Sequence, residues 1–156
     1  MTTSFNATKD MIGHYVLEAI DSNGTIDILL LSSAEADGAM ANRATVEDLL
    51  VGSTEATFSN YTRKTLASPT RTVDDENDQV LLGGAPVGTS VQITWEDAGG
   101  TTNNTLTKVV FFYNPSDALG DADRLPLMAT DIAASTDGND LVLTLHEDGF
   151  ARVRNP

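Results

Sequence analysis

The chain has 156 residues and no cysteine, and 23 Asp and Glu against nine Lys and Arg give it a formal charge of −14. That length fits one ordinary domain, and the lack of cysteine rules out disulfides and thiolate metal sites. The acidic field repels phosphate backbones and anionic lipid, so neither nucleic acid nor a membrane surface is expected as a partner.

In chain order, Met11, Ile12, Tyr15, Val16, Ala19 and Ile20 place one apolar face on a helix over residues 8–20. Gly13 weakens it by about 1 kcal/mol relative to Ala, and Asp21-Ser-Asn-Gly24 supplies the stop. Residues 25–32 read as a strand buried on both faces, because Ile28, Leu29, Leu30 and Leu31 are all apolar. Residues 33–44 are small and polar and read as a surface loop. Thr45 is an N-cap for a short helix over 46–51, with Glu47 and Asp48 where the helix dipole favours negative charge and Gly52 at its end. Phe58, Tyr61 and Leu66 lie in or near an extended segment leading to Pro69.

Strand signals then follow quickly. Val91, Ile93 and Trp95 alternate with Gln92, Thr94 and Glu96, the period-2 pattern of a half-buried strand. After the loop Gly99-Gly-Thr-Thr-Asn-Asn104, residues 106–113 read as a central strand buried on both sides. Leu141, Leu143 and Leu145 alternate with Val142, Thr144 and His146 after the turn Asp137-Gly-Asn-Asp140. The expected fold is mainly β: a single-domain antiparallel sandwich or open barrel with a short N-terminal helix and one further short helix. Residues 1–23 form the helical arm and residues 24–156 the β domain. No apolar run is long enough for a membrane helix, and Met1-Thr-Thr-Ser-Phe5 lacks the basic and apolar regions of a signal peptide.

Nothing in the sequence assembles a catalytic or cofactor site. Asp74-Asp-Glu-Asn-Asp78 lacks the spacing of a calcium loop, and neighbouring carboxylates in an extended chain point apart. Asp117, Asp121 and Asp123 read as a solvent-facing acidic loop. His14 and His146 have no third metal ligand or paired nucleophile nearby in sequence. The glycine pairs at 83–84 and 99–100 lack the basic residue and following helix of a phosphate cradle. No catalytic residue, cofactor or metal is therefore assigned. Trp95 reads as a core anchor rather than an interface residue. Arg63-Lys64, beside Tyr61, is a basic pair in an acidic chain, and the tail Ala151-Arg-Val-Arg-Asn-Pro156 is a second cationic spot. The pair is either a strand-borne balance to local carboxylates or an attachment contact for an acidic partner surface.

The short helix followed by Glu55-Ala-Thr57, Tyr61 and Arg63-Lys64 resembles a stretch in small structural proteins of tailed bacteriophages, of the head-decoration kind. In the same order come Thr94-Trp95 before Gly99-Gly100, the strand Val109-Val-Phe-Phe-Tyr113, Leu125-Pro-Leu127 and Gly149-Phe150. The resemblance spans residues 24–153, and the N-terminal helix has no counterpart in it. It implies a virion protein, not an enzyme, assembled in the host cytoplasm and bound to the outer capsid surface as a cement at capsomer junctions. The partners it implies are the major capsid protein and further copies of the chain, with a trimer as the expected oligomer. Tyr61, Arg63, Lys64, Met11 and Tyr15 are the candidate capsid or subunit contacts, and reversing Arg63 and Lys64 to Glu is expected to spare the fold but reduce particle occupancy. The alternatives are a tail, neck or head–tail connector subunit and a small carbohydrate-binding module.

Overall fold

The computed structural model describes residues 1–8, 11–74, 79–84, 88–146 and 149–154. In chain order these form β1 (Thr2–Ser4), α1 (Ile12–Ile20), β2 (Thr25–Ser33), α2 (Asp37–Met40), α3 (Val46–Gly52), β3 (Thr54–Glu55) and β4 (Lys64–Thr65). Then come β5 (Thr70–Asp74), β6 (Gln79–Gly83), β7 (Val91–Trp95), β8 (Thr105–Asn114), β9 (Leu125–Ser135), β10 (Leu141–Leu145) and β11 (Ala151–Arg154). The fold is mainly β and antiparallel, sandwich-like, with no closed barrel.

The organising element is a sheet in the order β1-β9-β8-β2, whose outer edge along β2 is shared by β3 and β4. β2 and β8 lie at its centre, and both are apolar on both faces because both faces are covered. On one face Ile26, Ile28, Leu30, Val109 and Phe111 pack with Ile93, Trp95, Leu82 and helix α1. On the other, Leu29, Leu31, Val110 and Phe112 pack with Phe5, Met40, Val46 and Leu49. The first layer therefore comprises α1 and two small sheets, β7–β10 and β5–β6–β11, and the second is built from α2, α3 and the Phe5 side chain. Trp95 is 1 % exposed, with Ile93 buried and Val91 half-buried on the same side of β7.

Local chemistry fixes the ends of the helices. The Thr45 side chain accepts from the Asp48 N–H at 3.1 Å, and the Val46 and Glu47 N–H groups donate to the Arg124 and Asp121 carbonyls. Three of the free donors of the first turn of α3 are thus satisfied. At the other end of the chain's first helix, Asn23 N–H donates to Glu18 O at 2.8 Å and Ser22 takes a φ of 64°. Gly24 follows with φ 133°, and a Cβ there would meet Asn114 O at 2.6 Å and the Tyr113 ring at 2.8 Å, so only glycine fits.

Four elements differ from the sequence expectation. Residues 33–44 contain the single-turn helix α2, which exists because Met40 is fully buried under the sheet. The first helix begins at Ile12 rather than near residue 8. β1 and β9 carry no strand pattern that periodicity detects: β1 has three residues, and β9 opens on Leu125-Pro-Leu127 and closes on small and polar residues. Pro126 is tolerated because it sits where the β8–β9 register shifts between Phe111 and Phe112.

Candidate functional site

The segment from Glu55 to Leu66 wraps the outer edge of β2. β3 pairs with Leu31 and Ser33, and β4 with Asp27 and Ile28. Leu30 lies between the two short strands, and its backbone groups would be left open there. Its carbonyl accepts from Ala56 N–H at 2.8 Å, and its N–H donates to the Tyr61 hydroxyl at 3.1 Å. A side chain thus completes the ladder where no strand reaches.

The same hydroxyl donates to Glu55 Oε1 at 2.8 Å. Arg63 meets Glu55 in two contacts, Nε to Oε1 at 2.8 Å and Nη2 to Oε2 at 2.7 Å. Its Nη1 and Nη2 also reach Asp121 Oδ1 and Oδ2, at 2.6 and 2.8 Å. Arg124 adds a contact to Asp121 Oδ1 at 2.8 Å, and the Arg63 guanidinium lies 5.5 Å from the Phe112 ring centroid. Two carboxylates and two guanidinium groups balance. The bidentate forks are the strong form of this interaction.

The electrostatics follow from that geometry. The hydrogen bonds that Arg63 donates to Glu55 and Asp121 push its pKa up, and the Arg63 bond holds the Asp121 carboxyl below its ordinary value. Burial, then the neighbouring Glu55 carboxylate, raises the Tyr61 phenol. The arrangement is a brace tying β3, the approach to β4 and the loop before β9 together.

Tyr61 and Arg63 are therefore both committed within the fold, and the Arg63 side chain is 23 % exposed with its charge neutralised. Lys64 is half-buried, its ammonium 5.9 Å from the Trp95 ring centroid, while the Trp95 indole N–H donates to Thr62 O at 2.7 Å. Met11 and Tyr15 lie elsewhere, Met11 at the N-cap of α1 and Tyr15 within the helix. Met11 is 45 % exposed, and the Tyr15 ring is half-buried with its centroid 5.0 Å from that of Tyr113. The structure groups Tyr61, Arg63 and Lys64 on one edge and leaves Met11 and Tyr15 separate, with no described polar or ring contact joining the two sets.

Asp121 corrects the expectation of a solvent-facing acidic loop, since two arginines draw it against the sheet. Asp117 and Asp123 are exposed, and Asp117 accepts from Asn114 Nδ2 at 2.9 Å. A second brace went unread in the sequence: Lys108, on β8, is almost fully buried and meets Asp37 at 2.8 Å and also Asp131. Burial pulls the Lys108 ammonium down, but Asp131 and Asp37 together outweigh it and raise its pKa. His14 is exposed, 3.8 Å from Glu18. Among the described residues no group of three His, Asp or Glu could hold a metal ion, and no helix is long and apolar enough to cross a membrane. Residues 75–78 of the acidic turn, and the side chains of the C-terminal basic tail beyond Ala151, lie outside the described residues.

Comparison with known protein families, with characterised proteins and with solved structures finds no match to this chain.

Proposed function

We propose that this chain is a virion structural protein that binds the outer surface of a tailed-phage head and cements it at capsomer junctions, as an oligomer. The observation that carries this reading is the fate of the residues behind the resemblance. Glu55, Tyr61 and Arg63 form one hydrogen-bonded brace, Trp95 is the buried anchor of β7, and Val109 to Tyr113 lie on the central strand β8. The shared positions are thus fold-determining ones, as expected if the likeness reflects a common architecture rather than scattered coincidence.

With Tyr61 and Arg63 engaged internally, attachment falls to other surfaces. Met11, the N-cap of α1, and Leu17 and Ile20 within the helix are apolar residues 40–45 % exposed. An oligomer touching several capsomers gains avidity without any one strong contact. The test is a binding assay on heads stripped of the protein. Saturable binding of the purified chain to heads, with none to tails, is expected. Binding to tails alone, or to neither, overturns the reading.

A further inference from the structure

Asn23 and Gly24 join α1 to β2 and form the one Asn-Gly pair in the chain. The helix ends there in a Schellman motif. Ser22, at φ 64°, donates its N–H to Ala19 O at 3.2 Å, and Asn23 N–H donates to Glu18 O at 2.8 Å. Asn23 is exposed. Among the described residues its side chain has no hydrogen-bond partner, and the Gly24 N–H donates to none. A side-chain amide and the backbone nitrogen that follows it are thus both free, and these two groups close a succinimide ring. Gly24 has no Cβ to hinder the approach. The fold also holds glycine there, since a Cβ would meet Asn114 O at 2.6 Å.

The Tyr113 hydroxyl donates to Asn23 O, the carbonyl of the peptide unit whose nitrogen belongs to Gly24. Resonance shares charge between that nitrogen and that oxygen. When the Gly24 N–H loses its proton, charge therefore develops on Asn23 O, where Tyr113 already donates. A donor placed where charge develops is the working part of an oxyanion hole. Tyr113 is 7 % exposed. Burial, then Glu18 and Tyr15, push its phenol pKa up, so it keeps its proton under mildly alkaline conditions.

The described Asp-Gly pairs could close the same ring but are shielded. Asp37 lies in α2 with its carboxylate on Lys108 at 2.8 Å. Asp137 accepts Asn139 N–H at 3.0 Å, and the Gly138 N–H that would have to be freed donates to Ala98 O at 2.9 Å. Both carboxyls are held below the ordinary value, chiefly by the Lys108 and Asn139 bonds, and an ionised carboxylate resists nucleophilic attack.

We propose that Asn23 is a self-modification site, deamidated through a succinimide formed with Gly24 and promoted by the Tyr113 hydroxyl. The deprotonated Gly24 nitrogen attacks Asn23 Cγ. The new Cγ–N bond forms, the Cγ–Nδ2 bond breaks, and the amide leaves as ammonia with a proton returned from solvent. Water then opens the ring, at Cγ to give aspartate or at the backbone carbonyl to give isoaspartate. One water enters and one ammonia leaves. Either product adds a negative charge. Isoaspartate also inserts a methylene into the main chain where Gly24 is packed against the Tyr113 ring and Asn114 O, so the α1–β2 junction loosens as the protein ages. The inference does not depend on the capsid reading.

The test incubates the full chain, Asn23→Gln and Tyr113→Phe under mildly alkaline conditions, with a parallel set in urea. Peptide mass spectrometry and an isoaspartate methyltransferase assay map the products. Folded wild type should accumulate isoaspartate at residue 23, faster as pH rises, and Asn23→Gln should not. Tyr113→Phe should react severalfold more slowly than wild type when folded and at the same rate in urea, where the hydroxyl no longer meets Asn23 O. The modified wild-type fraction, separated by its added charge, should unfold at a lower urea concentration than the unmodified one. The wild-type product map decides the site whether or not Tyr113→Phe folds. No product at residue 23 in the folded chain, or product centred on another residue, would overturn the proposal. So would folded Tyr113→Phe reacting as fast as wild type, or a modified fraction with an unchanged midpoint.

Discussion

The Tyr61 hydroxyl accepts the Leu30 backbone N–H at 3.1 Å, so one side chain closes the hydrogen-bond ladder of a buried strand. Leu30 is 1 % exposed, which leaves its N–H no ready access to solvent. Tyr61→Phe keeps the ring against Phe58 but removes the acceptor. The expected loss is about 1–3 kcal/mol, the penalty of an unpaired buried donor. Urea unfolding measures it; an unchanged midpoint would show that the hydroxyl is not what satisfies Leu30.

Arg63 and its neighbour Lys64 should behave differently, although they are adjacent and carry the same charge. Arg63→Ala leaves Glu55 and Asp121 facing each other without their shared cation. Because the site is partly solvated, the expected cost is about 2 kcal/mol, between surface and buried pairs. Lys64→Ala loses one ring contact and should cost less than about 1 kcal/mol. Arg63→Glu adds a third carboxylate to that site and should be the least stable of the three, so the double reversal would not spare the fold. Thermal denaturation of the three variants side by side tests the order.

Trp95 anchors the β7–β10 sheet on the main sheet, and its indole N–H is paired with Thr62 O. Trp95→Ala should destabilise the protein by about 3–5 kcal/mol. As the chain has one tryptophan, the native protein should show the blue-shifted emission of a buried indole, moving red on unfolding. Red-shifted native emission would contradict the packing.

Asp131 gives the fold an acid-sensitive contact. Its carboxyl is lowered from 3.8 to about 2, chiefly by the Lys108 hydrogen bond and then by the Met1 amine. A carboxyl depressed on folding adds stability that is fully present above the unfolded value and is lost as pH falls through the folded one. Wild type should therefore be more stable than Asp131→Asn at pH 5, and the gap should close as pH falls from about 4 to about 2. Urea unfolding across that range checks it, and a gap independent of pH would contradict it.

The architecture was legible where burial writes itself into the residues. β2 and β8 are apolar on both faces because layers cover both, β7 alternates because one face is covered, and Thr45 announces α3 through its cap. What stayed hidden depends on partners distant in sequence. β9 carries Pro126, Asp131 and three alanines among its apolar residues, and it is a strand because β8 and β1 flank it. Residues 37–40 coil into a helix because Met40 finds a buried site, not because of a periodic pattern. The segment from Glu55 to Lys64 stood out in sequence, yet its spacing does not reveal that Arg63 is claimed by Asp121, 58 residues away. A basic pair in an acidic chain looks like a free contact until the fold places two carboxylates around one member.

The capsid reading is tested most directly by a side-chain-resolution electron cryomicroscopy map of the intact particle that carries this chain. The expected map has density matching the β1-β9-β8-β2 sheet and its covering layers on the outer face of the shell, repeated at capsomer junctions. A shell without that density, or the same fold found only in the tail or neck, would contradict it.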